Sequence, residues 1–166
     1  MMCDLDFLTT IWLIRILGHE GGYVYDKNDP GGETRWGISK RSYPYIDIRN
    51  LKVDEAAEIY KRDFLKPLKA DQYSDGVVYQ MFDFAVNSGP DRAVKELQKV
   101  LGIEDDGVIG PITIGRINAL SESDLIMLIV AARLEFMTGL RNWANHGRGW
   151  ARRIAANLRY GAEDSD

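Results

Sequence analysis

Apolar residues at Leu5, Leu8, Ile11, Trp12, Ile16 and Leu17 recur at helical spacing, which predicts a first helix stopping at Gly18. The next stretch breaks that period. Residues 19–37 hold Gly21, Gly22, Gly31, Gly32, Gly37 and Pro30, a composition that excludes a regular helix and predicts turns with a short hairpin. Helical spacing returns over residues 54–65, with Ala56, Ala57, Ile59, Tyr60 and Phe64 on one face and Pro67 just beyond. From Val77 to Val86 the chain is apolar on nearly every side, the pattern of a buried central helix. Gly89-Pro90 ends that helix and starts another, since proline is welcome at the first helical position. This one runs to Leu101, with Gly102 as a left-handed cap. Asp105-Asp106-Gly107 predicts a tight turn and Pro111 a further helix start. Ser121 with Asp124 three residues on predicts the capped start of a helix reaching about Leu140, and a last helix covers about Trp150 to Leu158. The pattern predicts a mainly α chain with one small β element after the first helix. Its expected organisation is an N-terminal lobe, 1–72, and a helical lobe, 73–166, packed as one compact unit.

Composition narrows the class. Over 166 residues, 45% are hydrophobic and 28% charged, which suits a soluble globular protein and argues against disorder. A single cysteine, Cys3, rules out an intramolecular disulfide framework. Neither His19 nor His146 has metal-ligand spacing or a nucleophile partner, so no metal or other cofactor is expected. The formal net charge of −4 disfavours nucleic acid as the main partner. Charge is uneven, however: between Arg133 and Tyr160 six arginines (133, 141, 148, 152, 153 and 159) face one acid, Glu135. They either track an anionic polymer or membrane surface or form the solvated face of a terminal helix. The apolar run Phe7–Leu17 has Asp4 and Asp6 where a signal peptide needs basic residues, is interrupted by Arg15, and is too short to span a bilayer. It reads as a core helix, with no integral membrane segment. A monomer made in the cytoplasm and delivered to any outside substrate by another agent is the expectation.

Candidate chemistry concentrates in His19-Glu20-Gly21-Gly22-Tyr23 and Asp29-Pro30-Gly31-Gly32-Glu33-Thr34. Glu20 directly follows an apolar helix and precedes glycines that let a bulky polymer approach the backbone. A carboxyl half buried there has its pKa raised by desolvation, the condition for a general acid near neutral pH. The bland reading is a solvated charge at a helix end. Asp29, nine positions later, is the favoured second carboxylate, with Asp26 nearer and Glu33 farther; against it, Asp-Pro-Gly-Gly is itself a turn sequence. Tyr23, Tyr25 and Trp36 suit sugar stacking, or equally the stapling of a loop to the core. Asp83 and Asn87, four apart on an apolar helix, either line a cleft or cap a neighbouring element, with cleft lining preferred.

Glu20-Gly21-Gly22-Tyr23, then Asp29-Pro30-Gly31-Gly32-Glu33-Thr34 and Gly37-Ile38-Ser39, resembles the N-terminal signature of glycoside hydrolase family 108, the bacterial and phage N-acetylmuramidases. Met81 through Gly89, Leu97-Gln98, and Asp106-Gly107-Val108-Ile109-Gly110-Pro111-Ile112-Thr113 resemble the peptidoglycan-binding region paired with it. The chain departs from the family pattern at Arg35-Trp36, where Asn or Lys and then Tyr or Phe are common. The resemblance implies a mainly α, lysozyme-like α+β fold with a small β-hairpin in a glycine-rich loop after the first helix. It implies cleavage of the β-1,4 bond from N-acetylmuramic acid to N-acetylglucosamine in peptidoglycan glycan strands, without a cofactor and with Glu20 as catalytic acid. A lysozyme-like site adds a loop aspartate and a threonine, for which Asp29 and Thr34 stand here, while Tyr25, Trp36, Asp83 and Asn87 are the candidate substrate contacts. The alternatives are a lytic transglycosylase on the same bond and a wall-binding module without catalysis.

Overall fold

The computed structural model describes residues 5–17, 22–25 and 32–165. The chain divides into two compact units, Met1–Asp63 and Phe64–Asp166. In the first, α1 (Leu5–Leu17) is followed by three short strands, β1 (Val24–Tyr25), β2 (Glu33–Arg35) and β3 (Ile38–Ser39), which form an antiparallel meander. A 3-10 turn at Ile48–Asn50 leads to α2 (Val53–Tyr60). Trp12, Leu13, Ile38, Ile48, Ala56 and Tyr60 are buried, so the core of this unit draws on both helices, the sheet and the turn. The expected helix over 54–65 is regular only to Tyr60. At Lys61–Leu65 it widens to a π-helical turn, and the added residue rotates Leu65 into burial while Phe64 stays half exposed.

The second unit is helical: α3 (Asp75–Ser88), α4 (Pro90–Val100), α5 (Pro111–Asn118), α6 (Glu122–Thr138) and α7 (Trp143–Asp164). Every residue of α3 from Gly76 to Ala85 is buried, and α4, α6 and α7 all pack against it. Gly89 supplies the positive φ of 86° between α3 and Pro90, so one helix stops and the next begins within two residues. The Ser121 hydroxyl accepts from the Asp124 amide at 3.2 Å and caps α6 as its spacing predicts. α7 is longer than expected, and Gly161 within it marks a close approach: a Cβ there would meet Ile126 of α6 at 2.7 Å. Among the described residues no helix is long and apolar enough to cross a membrane.

One buried charge ties this unit together. Asp83, at the centre of α3, accepts from Arg133 of α6 and from Arg153 (2.6 Å) and Asn157 (2.7 Å) of α7. Asn157 is held in turn by Tyr79 at 3.3 Å, and its carbonyl accepts from Gln80 at 2.8 Å. Asp83 and Arg133 are both almost completely buried, and the Arg133 guanidinium lies 5.4 Å from the centre of the Phe84 ring. Desolvation is the largest influence on the Asp83 carboxyl and pushes its pKa up, but the two guanidiniums together outweigh it and hold the group below the usual carboxylate range. Two of the six clustered arginines therefore face inward, whereas Arg141, Arg148, Arg152 and Arg159 are exposed.

A depressed folded-state pKa contributes stability above the unfolded value, about 4, and that contribution is lost as pH falls through the folded value. Asp83→Asn leaves two guanidiniums without their carboxylate, so a loss of about 3–5 kcal/mol at pH 7 is expected in denaturant unfolding. The same measurement repeated below pH 4 is expected to show a shallower acid-side decline than the parent. An unchanged midpoint at pH 7 would contradict the role given to this carboxylate.

Candidate active site

Pairing in the small sheet fixes which side chains share a face. Val24 lies opposite Thr34 and Tyr25 opposite Glu33, while Thr34 lies opposite Ser39 and Arg35 opposite Ile38. Side chains alternate along a strand, so Val24, Thr34 and Ser39 occupy one face and Tyr25, Glu33, Arg35 and Ile38 the other. The second face is anchored to the unit: Ile38 is buried, and Arg35 donates to the Arg49 carbonyl. Tyr23 donates to Glu33 at 2.8 Å, and this hydrogen bond is the main reason its phenol pKa is raised. The Arg49 guanidinium sits 5.8 Å from the centre of the Tyr23 ring. The first face carries fewer attachments among the described residues. Val24 is 57% exposed, and Ser39 is turned to Ser42, donating to its hydroxyl at 3.1 Å. The half-buried Thr34 hydroxyl makes no hydrogen bond among the described residues.

Trp36 and Gly37 form the two-residue turn from β2 to β3, with φ of 52° and 74°. Positive φ at both central residues is the backbone of a type I′ hairpin, which asparagine and glycine adopt with less strain than tryptophan. The compensation is visible. The Trp36 indole N–H donates to the Leu51 carbonyl at 3.0 Å, and the Tyr60 hydroxyl donates to the Trp36 carbonyl at 3.1 Å. Trp36 thus staples the hairpin to α2 and the segment before it, the second of its two expected roles.

Glu20 and Asp29 lie outside the described residues, as does Asp26. By sequence, Glu20 falls three positions after the end of α1 and four before β1, and Asp29 falls midway between β1 and β2. The sheet puts Thr34 and Tyr25 on adjacent strands but on opposite faces, so one sugar ring lying on a face cannot meet both. Tyr25 is 56% exposed. The preferred reading of Asp83 as cleft lining is corrected by the helical unit, while Asn87 is exposed. The Asp83 carboxylate is buried and taken up by two arginines and an asparagine, and the Asn87 amide donates to the Asp83 carbonyl at 2.7 Å. Four-residue spacing within α3 put them on one face, but it brought Asn87 back to its own helix. The Tyr23–Glu33 pair was not anticipated, because it depends on strand register. Among the described residues, no group of three or more His, Cys, Asp or Glu is placed to hold a metal ion.

Residues 13–89 match the family profile described as Glycosyl hydrolase 108. The solved structure of SagA from Brucella abortus superposes with a TM-score of 0.84 at 30% identity, covering 96% of this chain and 97% of that one. The chain belongs to glycoside hydrolase family 108. A search of curated proteins gave no match. The family stretch runs from α1 through the hairpin to the end of α3, and the SagA match extends over the remaining helices as well. The expected mainly α, lysozyme-like α+β fold is the one observed, with the predicted hairpin extended to three strands. Membership of the glycoside hydrolase family supports glycosidic-bond hydrolysis in peptidoglycan as the general chemistry.

The turn that presents Thr34 is testable through Gly37. An added Cβ would run into the Tyr60 hydroxyl and meet Leu17 at 2.9 Å, in a left-handed backbone that itself costs an L-residue about 1–2 kcal/mol. Gly37→Ala is therefore expected to lower stability by at least that amount in denaturant unfolding. A neutral result would show that the turn does not hold this geometry.

Proposed function

We propose that this family 108 enzyme is an N-acetylmuramidase acting at the bacterial cell wall, cleaving the β-1,4 bond from N-acetylmuramic acid to N-acetylglucosamine. Glu20 is the general acid, protonating the glycosidic oxygen as its bond to the anomeric carbon breaks. Asp29 removes a proton from the water that attacks that carbon, and Thr34 holds the water. The supporting observation is the Thr34 hydroxyl, which makes no hydrogen bond among the described residues and lies on the hairpin face opposite Glu33 and Arg35. Asp29 belongs to the connection between the two strands of that hairpin, and Glu20 shortly precedes it.

Glu33 suits the second role poorly. It points to the face opposite Thr34 and already accepts the Tyr23 hydroxyl. In this reading Tyr25 contacts sugar from the edge strand and Trp36 acts by holding the turn. Asp83 serves the helical unit and not the substrate, while the exposed Asn87 stays a candidate substrate contact. The helical unit is read as the part that holds the wall. Its turn around Gly107 is fixed by Gln98, which accepts from the Gly107 amide at 2.9 Å and donates to Asp106 at 2.7 Å. Beside that turn, Val108 and Ile112 are exposed apolar side chains with no part in the core.

Mass spectrometry of fragments released from purified peptidoglycan tests the chemistry. Reducing muramic-acid ends are expected from the parent, with Glu20→Gln slower by roughly 10²–10⁴-fold. Asp29→Asn is expected to follow it. Thr34→Val, which loses one hydrogen bond, is expected to fall by about tenfold. Anhydro-muramic ends would assign the protein to the lytic transglycosylases and remove the water-activating role of Asp29. Wall binding without any release of fragments would leave a binding module.

A further inference from the structure

Among the described residues, the most exposed large hydrophobic side chain is Tyr45, at 100%. It stands in the segment 40–47, which leaves β3 immediately after Ser39, the cross-strand partner of Thr34. The Ile46 amide donates to the Tyr43 carbonyl at 3.1 Å, closing a four-residue turn with Pro44 and Tyr45 at its two central positions. Proline at the first central position presets the backbone, but the second is ordinarily a small or polar residue. Nothing in the turn requires an aromatic ring there.

The turn is also tied down on all sides. The Tyr43 amide donates to the Ser39 carbonyl at 3.0 Å, and the Lys40 ammonium spans the mouth of the segment to the Ile46 carbonyl at 2.7 Å. The Tyr43 hydroxyl donates to Asp63 at 2.8 Å, and Asp63 is gripped by Arg62. Burial and the bond to Asp63 push Tyr43 up to about 12, so this tether stays protonated far above neutral pH. Beyond the turn Ile48 is completely buried. A fixed scaffold therefore holds out a ring that makes no ring contact among the described residues. An exposed tyrosine on a mobile loop is ordinary; on a preorganised turn it is a contact surface whose ordering cost is already met.

We propose that the Tyr43–Ile46 turn is an outlying glycan subsite, in which the Tyr45 ring stacks on a pyranose of the same strand whose bond is cleaved. Six residues separate Ser39 from Tyr45, a reach of at most about 20 Å, so the subsite lies within a few sugar units of Thr34. The chemistry fits: a pyranose presents an apolar C–H face, and a tyrosine offers a flat apolar ring with few torsions to freeze. The inference rests on the substrate reading given above.

The test compares the full chain with Tyr45→Ala and Tyr45→Phe, using pelleting with insoluble peptidoglycan and turnover of long glycan strands against short muropeptide oligomers. Covering about 50 Å² of ring face corresponds to an affinity change of roughly tenfold. The expected result is that Tyr45→Ala raises KM on long strands about tenfold with kcat maintained. The ratio of long-strand to short-oligomer efficiency falls with it, and Tyr45→Phe restores both. Equal KM and equal pelleting for parent and Tyr45→Ala would overturn the subsite while leaving the muramidase reading intact. A loss that Tyr45→Phe does not restore would also overturn it, because stacking needs the ring and not the hydroxyl. A parent protein that releases no fragments would overturn the substrate reading, and this inference with it.

Discussion

A carboxylate in the middle of an otherwise apolar helix imposes more order than any single apolar contact. Asp83 cannot be buried charged without donors, and the donors come from two other helices. Apolar faces tolerate sliding by a turn; a carboxylate that needs Arg133, Arg153 and Asn157 at once does not. It sets which face of α6 and of α7 turns inward. It also explains how α3 can be buried on every side and still have a defined register with its neighbours.

In the first unit the corresponding constraint is strand parity. Three strands of two or three residues are too short for independent stability, so their hold on the unit comes from attachments. Arg35 reaches Arg49, Trp36 reaches Leu51, Tyr60 reaches Trp36, and Ile38 is buried. All of these fasten one face or the turn and, among the described residues, not the Thr34 face. Adjacent residues Glu33 and Thr34 are thereby turned to different faces: one closes onto Tyr23, and the other makes no hydrogen bond among the described residues.

Much of this was legible in the chain. Periodicity and caps located α1, α3, α4 and the starts of α5 and α6, because apolar spacing, proline at N1 and serine at the N-cap act locally. The glycine-rich motif by itself points to the family. What failed to show was everything set by distant partners. The π-helical turn at Lys61–Leu65 has no local signature, and α7 runs beyond Trp150 and Leu158 at both ends, with Gly161 packed against Ile126 of α6. Asp83 looked like cleft lining for the same reason. Its signal was present all the same: Arg133 is a lone cation inside an apolar helix, as Asp83 is the one anion beyond the first turn of another, and two such misfits are natural partners.

Trp36 carries a consequence for how this hairpin can change over generations. Its backbone asks for asparagine or glycine, and its side chain asks for an indole donor that reaches Leu51. No substitution satisfies both demands. Drift toward an easier turn releases the anchor, and keeping the anchor perpetuates the strain. Position 36 is therefore a conflict between comfort of the chain and alignment of the strand that bears Thr34, and relief of the first is lost alignment of the second.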